Sequence, residues 1–307
     1  MKILGISAGT PNGNNDAMCK QALMTAQSEG AEIEFINLNQ INIQHCTGCK
    51  ACVMGLFSGK GSLCVLNDDF DWLLDKMYDS DGIIWSVPIF EKGATGLFHT
   101  ITDRFGPRMD RGNITIADKI AEEHGGKRID PRFLQAKLVS YMAVGGSDWT
   151  TRVKCDFAMQ ALTPKWTIID SEVFEWSLDI IMNNESLAKA GQIGLNMAAA
   201  AKNPENATYN GEPGVCPHCH SRNFYLDNGR AICCLCGIIG EVKNVNGRYV
   251  FEYPEEQLHH AHDTMSGKFI HGDDIQRNEG KARAAMATDE AKARKKKFKE
   301  FIQPTRP

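Results

Sequence analysis

Five short apolar runs, separated by loops and helical stretches, restrict the fold of this chain more than any other feature. Residues 2–8 (KILGISA) read as a buried strand. The Gly/Asn-rich stretch Gly9–Asn15 follows, and residues 16–29 then place Ala17, Met18, Ala22, Leu23 and Ala26 on one helical face. Residues 32–38 alternate as a strand should. Residues 82–87 (GIIWSV) are almost continuously apolar, the mark of a central parallel strand. Residues 95–105 read as helix, 137–144 and 165–174 as strands, and 184–202 as a helix stopped before Asn203-Pro204. Strands alternating with helices predict βαβ units and a doubly wound parallel five-stranded sheet of the α/β class. Such sheets bind ligands at the carboxyl ends of their strands. Loops 9–15, 88–94 and 145–149 all sit there.

The eleven cysteines are the second constraint. Residues 1–9 enter a strand at once, with no basic stretch, long apolar run and cleavage site, so a cytoplasmic location is expected. Cysteines in that setting point to thiolate chemistry, not disulfides. Nine of them fall into two groups. Cys19 and Cys155 stand apart and read as small buried side chains.

The first group is Cys46-x2-Cys49-x2-Cys52-x11-Cys64. Two-residue spacings let thiolates converge from one tight turn, and a cubane needs four of them, so a 4Fe-4S cluster is expected. Bare thiols or zinc are the alternatives. In the second group, Cys216-Pro217-His218-Cys219 is separated by thirteen residues from Cys233-Cys234-Leu235-Cys236. Two such knuckles match a zinc ribbon, with Cys216, Cys219, Cys233 and Cys236 as ligands. A rubredoxin-like iron is the alternative metal, and Cys234 could replace Cys233. Residues 222–227 and 230–233 should pair as a hairpin through Asn228-Gly229. His218 and His220 read as bystanders, and so do His259, His260, His262 and His271.

Composition excludes other classes. The formal net charge is -4, so no global basic surface exists for nucleic acid. No apolar run is long enough for a membrane span. Lys292–Lys299 is a dense basic run that reads as a solvated helix with acidic residues ahead of it.

The segment Ser7–Asn15 joins a strand to a helix. Its glycines and N–H groups suit the single phosphate of FMN, and Thr10, Asn12, Asn14 and Asn15 add neutral donors. Farther on, Pro88-Ile89-Phe90, Gly93, Thr95-Gly96-Leu97-Phe98 and Asp103-Arg104 resemble the second loop of the NADPH-dependent FMN reductase family. Gly145-Gly146-Ser147-Asp148-Trp149 is similar to its third loop. The likeness covers residues 1–200, and the first cysteine group resembles the iron–sulfur flavoproteins of that fold family. Departures are Thr10-Pro11-Asn12 in place of Ser-Pro-Arg, Asp16 closing the first loop, and His99 in place of a lysine.

The resemblance implies a flavodoxin-like fold and an FMN site built from Ser7, Thr10, Asn12, Gly13, Asn14, Asn15, Pro88, Ile89, Phe90, Glu91, Gly93, Gly145, Gly146, Ser147 and Trp149. It also implies a homodimer or homotetramer. The expected domains are a flavin domain (1–202), a linker (203–214), the ribbon (215–254) and a helical tail (255–307). The expected activity moves electrons from NAD(P)H or ferredoxin through FMN and the cluster to a quinone or small organic acceptor. Electron transfer or redox sensing without substrate turnover is the alternative. No side chain stands out as an acid–base catalyst.

Overall fold

Strand β1 (Lys2–Ser7) leads through a tight loop into helix α1 (Asn14–Ser28), and β2 (Glu32–Asn37) follows. Then come α2 (Ala51–Phe57), α3 (Phe70–Asp79), β3 (Gly82–Phe90), β4 (Gly93–Ala94), α4 (Gly96–Met109) and α5 (Arg111–His124). Next are β5 (Leu138–Val144), α6 (Val153–Leu162), β6 (Thr167–Phe174) and α7 (Asn184–Lys202). The computed structural model describes residues 1–62 and 64–306.

The parallel strands lie in the order β2-β1-β3-β5-β6, with β4 folded back antiparallel on β3. Alternate residues bury on opposite faces, as the period of a strand dictates. Leu4, Ile6, Ile83, Trp85, Val139 and Tyr141 pack on the side of α3, α4 and α6. Ile3, Ile84, Leu138 and Met142 pack on the side of α1 and α7. Strand order reverses between β1 and β3, which opens a crevice at their carboxyl ends. The register sets Ser7 level with Asn37 on one side and Ser86 on the other.

Residues 107–132, irregular by composition, hold α5. Asp110 caps it by accepting from the Asn113 N–H at 2.9 Å, and Ile114, Ala117 and Ala121 form its buried face. A narrow apolar stripe in a charged segment hid that helix.

The C-terminal part begins with β7 (Phe224–Asp227), β8 (Arg230–Cys233), β9 (Ile239–Val245) and β10 (Arg248–Glu252) in one antiparallel sheet. The expected hairpin turns at Asn228 and Gly229, both with positive φ, as a primed turn requires. Helix α8 (Gln257–His260) follows, then α9 (Met265–Met286) and α10 (Asp289–Phe301). The helical tail expected over 255–307 thus holds two long helices. The first starts early because Thr264 caps Gly267, and the buried Lys268 ammonium meets Asp110 at 2.9 Å. Thr288 interrupts the run and caps α10 through the Ala291 N–H. Among the described residues, no helix is long and apolar enough to cross a membrane.

Asp170 lies buried in β6, accepting from Ser140 at 3.2 Å and from Asn196 at 2.8 Å. Burial pushes its carboxyl up to about 6. A folded pKa above the unfolded one means the native state holds the proton more tightly. Stability is therefore full below the unfolded pKa and is lost as pH rises toward 6. Asp170→Asn keeps both partners without the charge. It should raise stability by about 2 kcal/mol at pH 8, and the gain should vanish near pH 4. Urea melts of both proteins at the two pH values check this; a destabilised variant at pH 8 would overturn it.

Candidate active site and metal centre

A cleft of about 460 Å³ lies over the strand-order switch, lined by Ala8, Gly9, Thr10, Gly13, Asn14, Asn15, Asn39, Pro88, Phe90, Thr95 and Leu97. It draws on the loops after β1, β2 and β3. None of these side chains ionises near neutral pH. Gly13 is the N-cap of α1 and brings no side-chain oxygen to the first-turn N–H groups. Those donors carry the positive end of the helix dipole and remain available to an anion. Gly9 has no room for a side chain, because a Cβ there would lie 2.5 Å from that of Asn15.

Asp16, the extra carboxylate of the first loop, does not point into the cleft's donor set. It accepts from the Asn12 N–H at 2.7 Å and from the Asn37 amide at 2.7 Å, so it tightens the loop from behind. Ser7 is buried, and its hydroxyl accepts from the Gly9 N–H. Asn15 accepts from Ser86 at 3.1 Å. The Asn14 amide donates to the carbonyls of Ser177 and Leu178, which ties the first loop to the segment after β6.

The second loop is a β-hairpin. Glu91 and Lys92 both have positive φ, 49° and 69°, and β4 returns against Ile89 and Phe90. Two consecutive non-glycine residues in the left-handed region are costly unless their surroundings hold them. That support comes from α6 and its preceding turn. Arg152 donates its N–H to the Lys92 carbonyl at 3.1 Å, and Asp156 accepts from the Ala94 N–H at 2.8 Å. The third loop, Gly145 to Trp149, packs against the hairpin where Gly145 meets Ile89. Ser177 donates to the Gly145 carbonyl at 2.7 Å.

Of the residues named from sequence, Thr10, Gly13, Asn14, Asn15, Pro88 and Phe90 line the cleft directly. Ser7, Asn12, Ile89, Glu91, Gly93, Gly145, Gly146, Ser147 and Trp149 lie outside that lining, within the loops that frame it. Sequence reasoning left Ala8, Gly9, Asn39, Thr95 and Leu97 out of the site, and also the loop after β6. Phe90 is 61% exposed, Trp149 60%, Trp176 66% and Leu178 84%. Of these only Phe90 lines the cleft; the others are large apolar side chains on the loops after β5 and β6. Lys92 places its ammonium 5.2 Å from the Trp149 ring centre.

In the C-terminal sheet, the sulfurs of Cys216, Cys219, Cys233 and Cys236 all lie within 4.8 Å of one another. Cys216 and Cys236 are 3.9 Å apart, and Cys219 and Cys233 are 3.5 Å apart. A tetrahedron with metal–sulfur bonds of about 2.3 Å has edges of about 3.8 Å, so the set fits one ion. The two knuckles close alike: the His220 N–H bonds the Cys216 carbonyl, and the Gly237 N–H bonds that of Cys233. Cys234 is exposed and outside the set. Sulfurs this close cannot all ionise unaided. Hydrogen bonds from Cys219 and Cys236 help pull the Cys216 thiol down to about 7, while the neighbouring sulfurs push Cys236 far up.

The first cysteine group is laid out differently. Cys46 and Cys49 are exposed, and Cys52 and Cys64 are half-buried. Among the described residues, these four do not form a single-ion site. Thiolates on a cubane stand farther apart than thiolates on one ion, so the layout bears on a lone metal such as zinc, not on a cluster. Arg104 joins the two ends of this segment. It pairs with Asp68, donates to the Gln44 carbonyl at 3.0 Å and reaches the Cys64 sulfur at 3.4 Å.

The model of the NADPH-dependent FMN reductase family matches residues 1–174. The solved structure of a flavone reductase shares 59% identity over 100% of both chains, with a TM-score of 0.92. Flavone synthase cfoJ of Aspergillus candidus is 27% identical over 255 residues, 79% of this chain and 78% of its own. An iron–sulfur flavoprotein of Archaeoglobus fulgidus is 34% identical over 205 residues, 65% of this chain and 80% of its own.

Proposed function

The chain belongs to the NADPH-dependent FMN reductase family, and from that premise we propose that it reduces flavones and similar planar enones with electrons from NAD(P)H. The observation that carries this reading is the open aromatic rim of Phe90 and Trp149 beside a cleft without ionisable lining, in a chain 59% identical to a flavone reductase. Bound FMN supplies hydride and single-electron chemistry. The first-turn N–H groups of α1 and Thr10 take its phosphate, Gly13 leaves it room, and Asn12 ties the loop to Asp16. The 88–93 hairpin and Gly145–Ser147 flank its ring system, and Asn14 and Asn15 hold the loops together. Phe90 and Trp149 offer flat faces to a planar substrate. The proton that completes reduction of a carbon–carbon double bond comes from water, because no lining side chain is an acid that titrates near neutral pH.

The four-cysteine set holds zinc, which suits a small structural site with no open ligand position. Cys46, Cys49, Cys52 and Cys64 offer the donor chemistry of a 4Fe-4S cluster, and the guanidinium of Arg104 beside Cys64 favours its anionic charge. A cluster would make ferredoxin a competent donor, and would also serve the electron-transfer reading. The exposed rim at Trp176 and Leu178 supports a homodimer or homotetramer.

The test is anaerobic turnover of purified flavin-loaded protein with NADH or NADPH and flavone. Loss of the flavone's near-ultraviolet band, with reoxidation of the flavin, is expected. Reduced flavin that flavone reoxidises no faster than buffer would sink the reading. Trp149→Ala should raise the KM for flavone on the order of three- to tenfold and leave kcat nearly unchanged, since it removes a stacking face and no reacting group.

A further inference from the structure

We propose that the four-cysteine module is a buttress of the flavin site, acting through α6, and that Asp156 is the positioning residue at the far end of that connection. The inference rests on FMN occupying the cleft, but not on which substrate is reduced.

One side of α6 faces the module. Ala158 and Leu162 pack against the buried cluster formed by Cys216, Cys233, Leu235 and Phe251. The Asn223 amide donates to the carbonyl of Thr151 at 3.4 Å, just before the helix, and the Asn223 carbonyl accepts from the Cys234 N–H at 3.0 Å. A single residue, Asn223, therefore links the backbone between the second knuckle's cysteines to Thr151, two residues before the start of α6.

The other side of α6 faces the hairpin. Asp156 accepts from the Ala94 N–H, and Arg152 bonds the Lys92 carbonyl. A Cβ on Gly93 would lie 2.5 Å from both the Arg152 guanidinium and the Asp156 carboxylate, so the hairpin backbone sits flush on these side chains. The carboxylate is mostly buried and also faces His99 at 3.5 Å and the Arg152 Nε at 3.4 Å. The held turn is the strained one at Glu91 and Lys92. Its neighbours Pro88, Phe90 and Thr95 line the cleft. The hairpin has only two residues in its returning strand, too few to fix its own shape. Its conformation is set from outside, by a helix whose other face rests on the metal module.

The test uses the full-length chain in three variants, read by FMN affinity (fluorescence quenching) and by hydrogen exchange of residues 88–95. Asp156→Ala should weaken FMN binding by about tenfold or more and speed exchange at Ala94, as loss of a hydrogen bond to a charged acceptor implies. Asp156→Asn should restore most of both, because its amide oxygen still accepts from Ala94. Ala158→Glu changes no residue of the hairpin and no metal ligand. With its metal content unchanged, it should shift both readouts the same way. Exchange at 88–95 requires neither FMN nor turnover, so failure of the flavone reading leaves this outcome separately readable. Asp156→Ala with FMN affinity and Ala94 exchange within about twofold of the parent would overturn the positioning role. Ala158→Glu that loosens the module while the hairpin exchanges as before would overturn the buttress.

Discussion

Cys236→Ser, or removal of the metal by a strong chelator, is expected to unfold the C-terminal module while the parallel strands β1, β2, β3, β5 and β6 stay folded. The buried cluster of that module contains Cys216, Cys233 and Cys236 beside only Ala231, Leu235, Ile238, Phe251 and Ala261. So few apolar side chains cannot offset the conformational entropy of four short strands. In small zinc modules the metal contributes about 10–16 kcal/mol of apparent binding free energy, and that energy is folding energy. Without the ion, four sulfurs within 4.8 Å of one another lose their common partner and become a cluster of crowded thiols. Hydrogen exchange should therefore show residues 215–253 protected in the metal-loaded parent and nearly unprotected in the variant. The strands packed on α1 and α7 should remain protected in both. Protection of 215–253 that survives stoichiometric metal loss would show that the apolar contacts suffice, and would remove the metal from the stability of this region.

The sequence made this module legible because ligand spacing is local. Two knuckles with a glycine turn between them need only a hairpin to converge, and Asn228-Gly229 supplies the turn. Helix α7 was legible for a similar reason: Asn183 caps Ser186 at one end and Pro204 follows the other. The parallel sheet and the three loops at its strands' carboxyl ends followed from βα alternation. What remained hidden depends on long-range placement. The loop after β6 reaches the site only because Asn14 bonds Ser177 and Leu178 across 163 and 164 residues. The hairpin turn carries Glu91 and Lys92, not the Asn-Gly that signals a primed turn, because α6 enforces it. The fate of Cys46–Cys64 was the least legible. Spacing says which thiols are close along the chain, whereas their meeting depends on how Arg104 draws the two ends of the segment together.

Arg104→Leu should accordingly cost about 3–5 kcal/mol at neutral pH, because it leaves a buried carboxylate without its partner. Arg104 stacks 4.1 Å from the Phe70 ring centre and is almost wholly buried, as is the carboxylate of Asp68. Burial alone would push the Asp68 carboxyl up. The Arg104 guanidinium and the N–H groups of Gln44 and Phe70 outweigh it and hold the group below the ordinary carboxylate range. In the parent, this pair stabilises the fold above the unfolded pKa of Asp68 and is lost as pH falls through the folded one. In the variant, burial is opposed only by the two N–H groups, so the folded pKa rises and the sign reverses. The variant's deficit is therefore largest at pH 7–8 and shrinks toward pH 4, where Asp68 takes up a proton. Urea melts of parent and variant at both ends of that range measure it. Asp68→Asn placed on top of Arg104→Leu should recover part of the loss, because the amide still accepts from the backbone without a charge. Arg104 also reaches the Cys64 sulfur and the Gln44 carbonyl, so its loss frees both ends of the cysteine segment. Thiol reagents should then label Cys64 faster, and iron incorporated during anaerobic reconstitution should fall. A deficit under about 1 kcal/mol with unchanged Cys64 labelling would mean the pair is no more than a surface contact in energy, and the clamp would have to be sought elsewhere.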